Sequence, residues 1–151
     1  MDLDLIKEKL KTYCAYQERC TKDVKEKLVE LNVPSEYHTE LIAYLNEYDF
    51  LNDKRFLQAY INGKINLKRW GEQKIIWHLQ NKGFSKTEIL TVLSEIPPGK
   101  FKQNAIELAR YKLDNKKLTY DVKGKIYRYL YNKGYSSGLI YEVINNLNQA
   151  E

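Results

Sequence analysis

Apolar residues recur at three- and four-residue spacing along almost the whole chain, the period of an amphipathic helix rather than the alternation of a half-buried strand. Leu3, Ile6, Leu10, Tyr13 and Cys14 form the first stripe. A second helix is expected with Thr21 as its cap and Val24, Leu28 and Leu31 on its inner face. The turn Asn32-Val33-Pro34 leads to a third, carrying Tyr37, Leu41, Tyr44, Leu45 and Tyr48. Asn52 or Asp53 can cap a fourth, with Phe56, Leu57, Tyr60 and Ile61. Trp70-Gly71 precedes a fifth, with Ile75, Ile76 and Leu79, closed at Lys82-Gly83, where glycine can take the left-handed conformation that ends a helix.

Ser85-Lys86-Thr87-Glu88 has the spacing of a capping box and opens a sixth helix with Ile89, Leu90 and Leu93. Pro97-Pro98-Gly99 stops it, because the residue before a proline is pushed out of the helical region. The seventh helix carries Phe101, Ala105, Leu108 and Ala109. Val122, Ile126, Tyr129 and Leu130 mark the eighth, which ends at Lys133-Gly134. Leu139, Ile140, Val143, Ile144 and Leu147 mark the ninth. No stretch alternates strictly between apolar and polar, so no sheet is expected.

These segments repeat. Lys82-Gly83-Phe84-Ser85 returns as Lys133-Gly134-Tyr135-Ser136, and at the same offset Ile75 meets Ile126 and Leu79 meets Leu130. One offset earlier, Val24, Leu28 and Asn32 stand where Ile75, Leu79 and Gly83 do, and asparagine tolerates the left-handed region. The fold expected is all-α: three tandem three-helix, helix-turn-helix-like repeats over residues 1–50, 51–97 and 98–151, stacked into an elongated, curved array.

With 43% hydrophobic residues, 30% charged and a mean hydropathy of −0.62, the chain has the makings of a packed protein with much solvated surface. No run reaches the roughly 18 apolar residues of a membrane span, and Met1-Asp2-Leu3-Asp4 does not open like a signal peptide, so a cytoplasmic protein is expected. Cys14 and Cys20 match no zinc spacing and are expected to be ordinary thiols. His38 and His78 lie apart, each without a neighbouring cysteine or carboxylate pair, so neither a metal nor a cofactor is expected. Phosphate loops, dinucleotide fingerprints, HExxH and GxSxG are all missing, and the chain is expected not to be an enzyme.

Charge changes the picture most. Residues 1–59 carry a net −3, residues 60–135 a net +10 and residues 136–151 a net −2. Such asymmetry points to a polyanion, or an acidic protein surface, facing the later part of the chain. In the second repeat the candidates are Lys64, Lys68, Arg69 and Lys74, around Trp70-Gly71. In the third they are Arg110, Lys112, Lys116, Lys117, Lys123, Lys125, Arg128 and Lys133. Phe56, Ile75, Leu79 and Phe84 are expected in the core, and Trp70 over it. Tyr127, Tyr129 and Tyr131 cannot share one helical face, so at least one is expected in solvent, where it could stack on a base.

Leu51-Asn52-Asp53-Lys54-Arg55-Phe56, then Lys68-Arg69-Trp70-Gly71-Glu72-Gln73-Lys74-Ile75, then Leu79-Gln80-Asn81-Lys82-Gly83-Phe84 resemble the RecX family in order and spacing. That family has a hydrophobic-x-D-x-R-F stretch, a basic K-G-x-G segment and an L-x-x-K-G turn. Trp70 replaces a small residue of its pattern, Asn52 a frequent Asp, and Lys64 a frequent Arg. The resemblance implies a monomeric regulator that binds RecA and its filament on single-stranded DNA and mostly inhibits recombinase, ATPase and coprotease activity. Weak direct DNA binding would accompany it. The alternative is a stand-alone helix-turn-helix DNA-binding protein, since each three-helix unit has the size of one.

Overall fold

The computed structural model describes residues 1–149, and among them there are nine α-helices and no strand. In order these are α1 (Leu3–Tyr16), α2 (Thr21–Glu30), α3 (His38–Glu47), α4 (Asp53–Gly63), α5 (Glu72–Asn81), α6 (Lys86–Leu93), α7 (Lys100–Leu113), α8 (Tyr120–Lys133) and α9 (Ser137–Gln149). A 3-10 turn over Ser35–Tyr37 leads into α3, and a wide π turn over Lys64–Lys68 follows α4. The described residues form two compact units, Met1–Tyr60 and a second beginning at Ile61.

The repeat is visible in the hydrogen bonds of three helix ends. After α2, α5 and α8 the chain turns through Asn32 (φ 57°), Gly83 (φ 92°) and Gly134 (φ 102°). In each case the next residue, Val33, Phe84 or Tyr135, donates its amide to the carbonyl five residues back, at Leu28, Leu79 or Leu130. The left-handed residue itself donates three back, to Val29, Gln80 or Tyr131. This double closure satisfies carbonyls that a helix end would otherwise leave bare, and it turns the following apolar side chain inward. Val33, Phe84 and Tyr135 are accordingly all buried.

In the first unit, Ile6, Leu10 and Cys14 of α1 pack with Val24 and Leu28 of α2 and Leu41 and Leu45 of α3. Cys20, not Thr21, is the cap of α2, and its amide donates to the Asp23 carboxylate at 3.1 Å. Thr21 instead donates its amide and hydroxyl, each at 2.9 Å, to the carboxylate of Asp53. The cap of α4 is therefore Asn52, whose side-chain oxygen accepts from the Arg55 amide at 3.0 Å. Arg55 closes the corner through Glu18 at 2.6 Å and Asp49 at 3.0 Å. Both cysteines are buried and neither forms a disulfide, and burial pushes the Cys14 thiol above its ordinary range. His38 Nε2 lies 2.8 Å from the Val33 carbonyl.

The second unit buries Ile75 and Leu79 of α5, Phe84, and Ile89, Val92 and Leu93 of α6. Its later part packs α7, α8 and α9 around Ala105, Leu108, Ala109, Ile126, Leu130 and Val143. Ala105 and Ala109, one turn apart, leave room for α7 to approach its neighbours. Ser85 caps α6 as expected, with its hydroxyl and the Glu88 carboxylate serving each other's backbone amides. Two apolar positions differ from expectation. Tyr48 sits just past the end of α3 and is 59% exposed; Leu90 is 44% exposed, and Val92 takes the inner position on α6.

Candidate functional site

The basic stretch of the second unit begins where α4 gives way to the π turn. This turn closes with the Trp70 amide donating to the Lys64 carbonyl at 3.0 Å, and ends at Arg69 in the left-handed conformation (φ 55°, ψ 40°). That conformation costs a residue with a Cβ about 1–2 kcal/mol, and three contacts hold it. Asn104, a buried polar side chain on α7, donates to the Ile65 carbonyl at 3.1 Å. The Tyr135 hydroxyl donates to the Arg69 carbonyl at 2.7 Å, and the Arg69 guanidinium meets Glu107 at 3.1 Å.

Helix α5 then starts against the end of α8. The Gly71 amide donates to the Lys133 carbonyl at 2.8 Å, and the Gln73 amide to the Gly134 carbonyl at 3.0 Å. Donors at a helix N-terminus and acceptors at a C-terminus satisfy each other, with opposed partial charges in contact.

This junction gathers cations around one indole. The Lys64 and Lys74 ammonium groups each lie 4.6 Å from the centre of the Trp70 ring. The His78 ring packs on Trp70 at 4.7 Å, and Trp77 meets the same imidazole edge-on at 4.9 Å. Lys133 reaches across to the Lys68 carbonyl at 3.3 Å, and Lys74 to the Asn132 carbonyl at 3.4 Å. Lys112 and Lys133 both approach the Tyr129 ring, at 5.2 and 5.9 Å. Lys64, Lys68, Arg69, Lys74, Lys112 and Lys133 are thus linked through neighbouring contacts.

The charges feel one another. Desolvation lowers the proton affinity of Lys64, and the ammonium groups of Lys68, Lys74 and Lys82 lower it further. His78 is held below its ordinary value near 6.5 by burial first and then by Lys74, Lys64 and Lys82. Like charges held together at this energetic cost are what an anion would relieve. Arg69 differs, since Glu107 already balances it. Trp70 is half-buried rather than a core residue, because its flat face serves the two ammonium groups. Lys82 and His78 are not among the binding candidates read from the sequence, although four-residue steps from Lys74 align all three along α5 and its C-cap.

The remaining candidates do not join this group. Lys123, Lys125 and Arg128 line a separate groove on α8 and α9. Arg110 is exposed on α7, and Lys116 and Lys117 are exposed in the connection that follows it. The tyrosines divide as the helical period requires: Tyr127 stacks on Tyr131, which is 59% exposed, while Tyr129 faces Lys112 and Lys133. Among the described residues, no three His, Cys, Asp or Glu side chains come together as a metal site, and no helix is long and apolar enough to cross a membrane.

Two family models match in chain order: residues 52–93 fit the second three-helix domain of RecX and residues 102–144 the third. The chain is 37% identical over 127 residues to the regulatory protein RecX of Clostridium botulinum (strain Alaska E43 / Type E3), covering 82% of this chain and 59% of that protein. It is 28% identical to RecX of Oceanobacillus iheyensis over 92% of this chain and 52% of that one. The chain therefore spans just over half the length of these relatives. The crystal structure of RecX from Lactobacillus salivarius superposes with a TM-score of 0.84 at 25% identity, over 95% of this chain and 94% of the other. A second crystal structure, of regulatory protein RecX, superposes at 0.78 with the same identity, over 93% and 73%. With consecutive RecX domains matched in order and the fold shared along nearly its whole length, this chain belongs to the RecX family of regulatory proteins.

Proposed function

We propose that this protein is a non-enzymatic regulator that binds RecA and its filament on single-stranded DNA, and mostly inhibits recombinase, ATPase and coprotease activity. Its place is then in DNA repair, recombination and the SOS response, as a cytoplasmic monomer. Three modules over residues 1–50, 51–97 and 98–151 would present the binding face.

The observation that carries this reading is the cation cluster around Trp70, in which Lys64 and Lys74 share one indole and burial, then Lys68, Lys74 and Lys82, lower the proton affinity of Lys64. A filament of protein on a phosphodiester strand offers both phosphates and carboxylates as counter-charges. Phosphate contact would weaken steeply with salt, because bound cations release the strand's counterions. Desolvated carboxylate pairs would respond less to salt and more to charge reversal.

The test is ATP hydrolysis by RecA on single-stranded DNA, with and without this protein. A fall in the rate at near-stoichiometric protein supports the reading. An unchanged rate, together with strong preference for one duplex operator, would replace it with a stand-alone helix-turn-helix DNA binder.

A further inference from the structure

The groove on α8 and α9 has a chemistry unlike that of the Trp70 cluster. Tyr127 and Tyr131, one turn apart on α8, hold their rings nearly parallel, 11° between planes and 6.0 Å between centres. Tyr141 of α9 leans on Tyr127 at 5.4 Å and 39°. The Tyr127 hydroxyl is tied to the Ser137 hydroxyl at 2.7 Å, which fixes the central ring. Tyr141, which lines the groove, is 60% exposed, and Tyr131, 59% exposed, extends the aromatic row beyond the residues that line it. A tyrosine that merely completes a core hides its ring and wets its hydroxyl, whereas these two residues stand mostly in water.

Cations stand beside the rings. Lys123, Lys125 and Arg128 line the groove with Tyr127 and Tyr141, and Asp121 is the one carboxylate among its lining residues. The volume of about 520 Å³ falls within the range of roughly 300–1,000 Å³ common for ligand clefts. Gly124, inside α8, also lines it. Glycine is a poor residue for a helix interior, and here it leaves the space beside the Arg128 guanidinium open.

We infer that this groove is a stacking site for an unpaired nucleobase, with Arg128, Lys123 and Lys125 holding the adjoining phosphates. Exposed aromatic faces accept any base, because every base has a π face, and cations alongside follow the backbone. A duplex hides those faces in its own stack, so the site selects single strands. An acidic peptide would satisfy the cations but leave the rings without a partner. The inference stands beside the RecA reading rather than on it, since no RecA is required.

The experiment measures fluorescence anisotropy of a labelled oligothymidylate and of an abasic strand of equal length, binding to the full chain at low salt without RecA. The thymidine strand should bind at least about fivefold more tightly than the abasic one, the scale of one stacked base. Joint substitution Tyr131→Ala and Tyr141→Ala should erase that margin. Tyr131→Phe with Tyr141→Phe should keep it, because the rings remain. Arg128→Gln should weaken both strands alike. Equal binding of the two strands by the parent overturns the inference, and so does a margin that survives the double alanine change with folding confirmed by circular dichroism. If the alanine variant fails to fold, the parent's margin and its retention by the phenylalanine pair decide. Because RecA is absent, failure here leaves the filament reading untouched, and the ATPase test leaves this site untouched.

Discussion

Gly71 and Gly134 meet backbone to backbone. A Cβ on Gly71 would stand 2.6 Å from the Tyr135 amide nitrogen and closer still to the Gly134 carbonyl, while a Cβ on Gly134 would stand 2.7 Å from the Lys74 amide nitrogen. This contact lets the first amides of α5 reach the last carbonyls of α8, and it sets the cations of the π turn beside those of α8.

The pair supplies a clean stability comparison. Gly83 and Gly134 both have positive φ, but a Cβ on Gly83 would meet nothing within 4 Å. Gly83→Ala should therefore cost only backbone strain, about 1–2 kcal/mol. Gly134→Ala should cost that plus overpacking of about 1–3 kcal/mol. Urea denaturation checks both, and equal losses would mean the close approach relaxes freely.

Asn104 fastens the π turn from α7. Asn104→Leu would leave the Ile65 carbonyl without its 3.1 Å partner in a buried setting, a loss of about 1–3 kcal/mol. The same variant should loosen the turn carrying Lys64 and Lys68, seen as faster amide exchange over residues 64–70. Unaltered exchange with lost stability would limit Asn104 to packing.

His78 makes stability depend on pH. Its folded proton affinity lies below the unfolded value near 6.5, chiefly through burial and then through Lys74, Lys64 and Lys82. Between the two values the unfolded chain binds the extra proton, so stability rises with pH there. This contribution is fully present above pH 6.5 and is lost as pH falls through the lowered folded value. His78→Gln should flatten that part of the profile. Since both tryptophans of the chain touch this imidazole, its protonation should also change their fluorescence. A parent and variant with superimposable profiles from pH 7 to 5 would refute the assignment.

Removing the charge of Lys64, Lys68, Arg69 and Lys74 together, each to Gln, should reduce inhibition of RecA at least tenfold, about 1.4 kcal/mol. Lys68 is exposed and Lys64, Arg69 and Lys74 are half-buried; Gln keeps much of each aliphatic stem, so the fold should survive with some loss of stability, checked by circular dichroism. The matched change of Lys7, Lys9 and Lys11 to Gln, in the net-negative first part of the chain, should do much less. Equal potency of the quadruple variant and the parent would take the Trp70 cluster out of the interface and turn attention to the α8 and α9 cations.

The sequence alone determined what is local. Helical period placed Ile75, Leu79, Phe84 and Phe56 inside, and all four are buried. Asn32, Gly83 and Gly134 read as helix stops because the left-handed turn and its two closing hydrogen bonds involve only residues within five positions of each other. The Ser85–Glu88 box was legible for the same reason.

Tertiary structure decided whatever depends on a distant partner. Asp53 could have capped its own helix, but 32 residues away Thr21 offers two donors to one carboxylate, and Asn52 is left as the cap. Asn104 donates to the Ile65 carbonyl 39 residues earlier, a pairing that no local pattern marks. Gly71 and Gly134 both read as turn residues, yet their lack of side chains matters because two helix ends meet there. Trp70 shows the limit most plainly. An indole can bury its edge in a core or offer its face to cations, and periodicity cannot tell these apart. Only the placement of Lys64 and Lys74 by the π turn and the start of α5 made it the centre of a charged site.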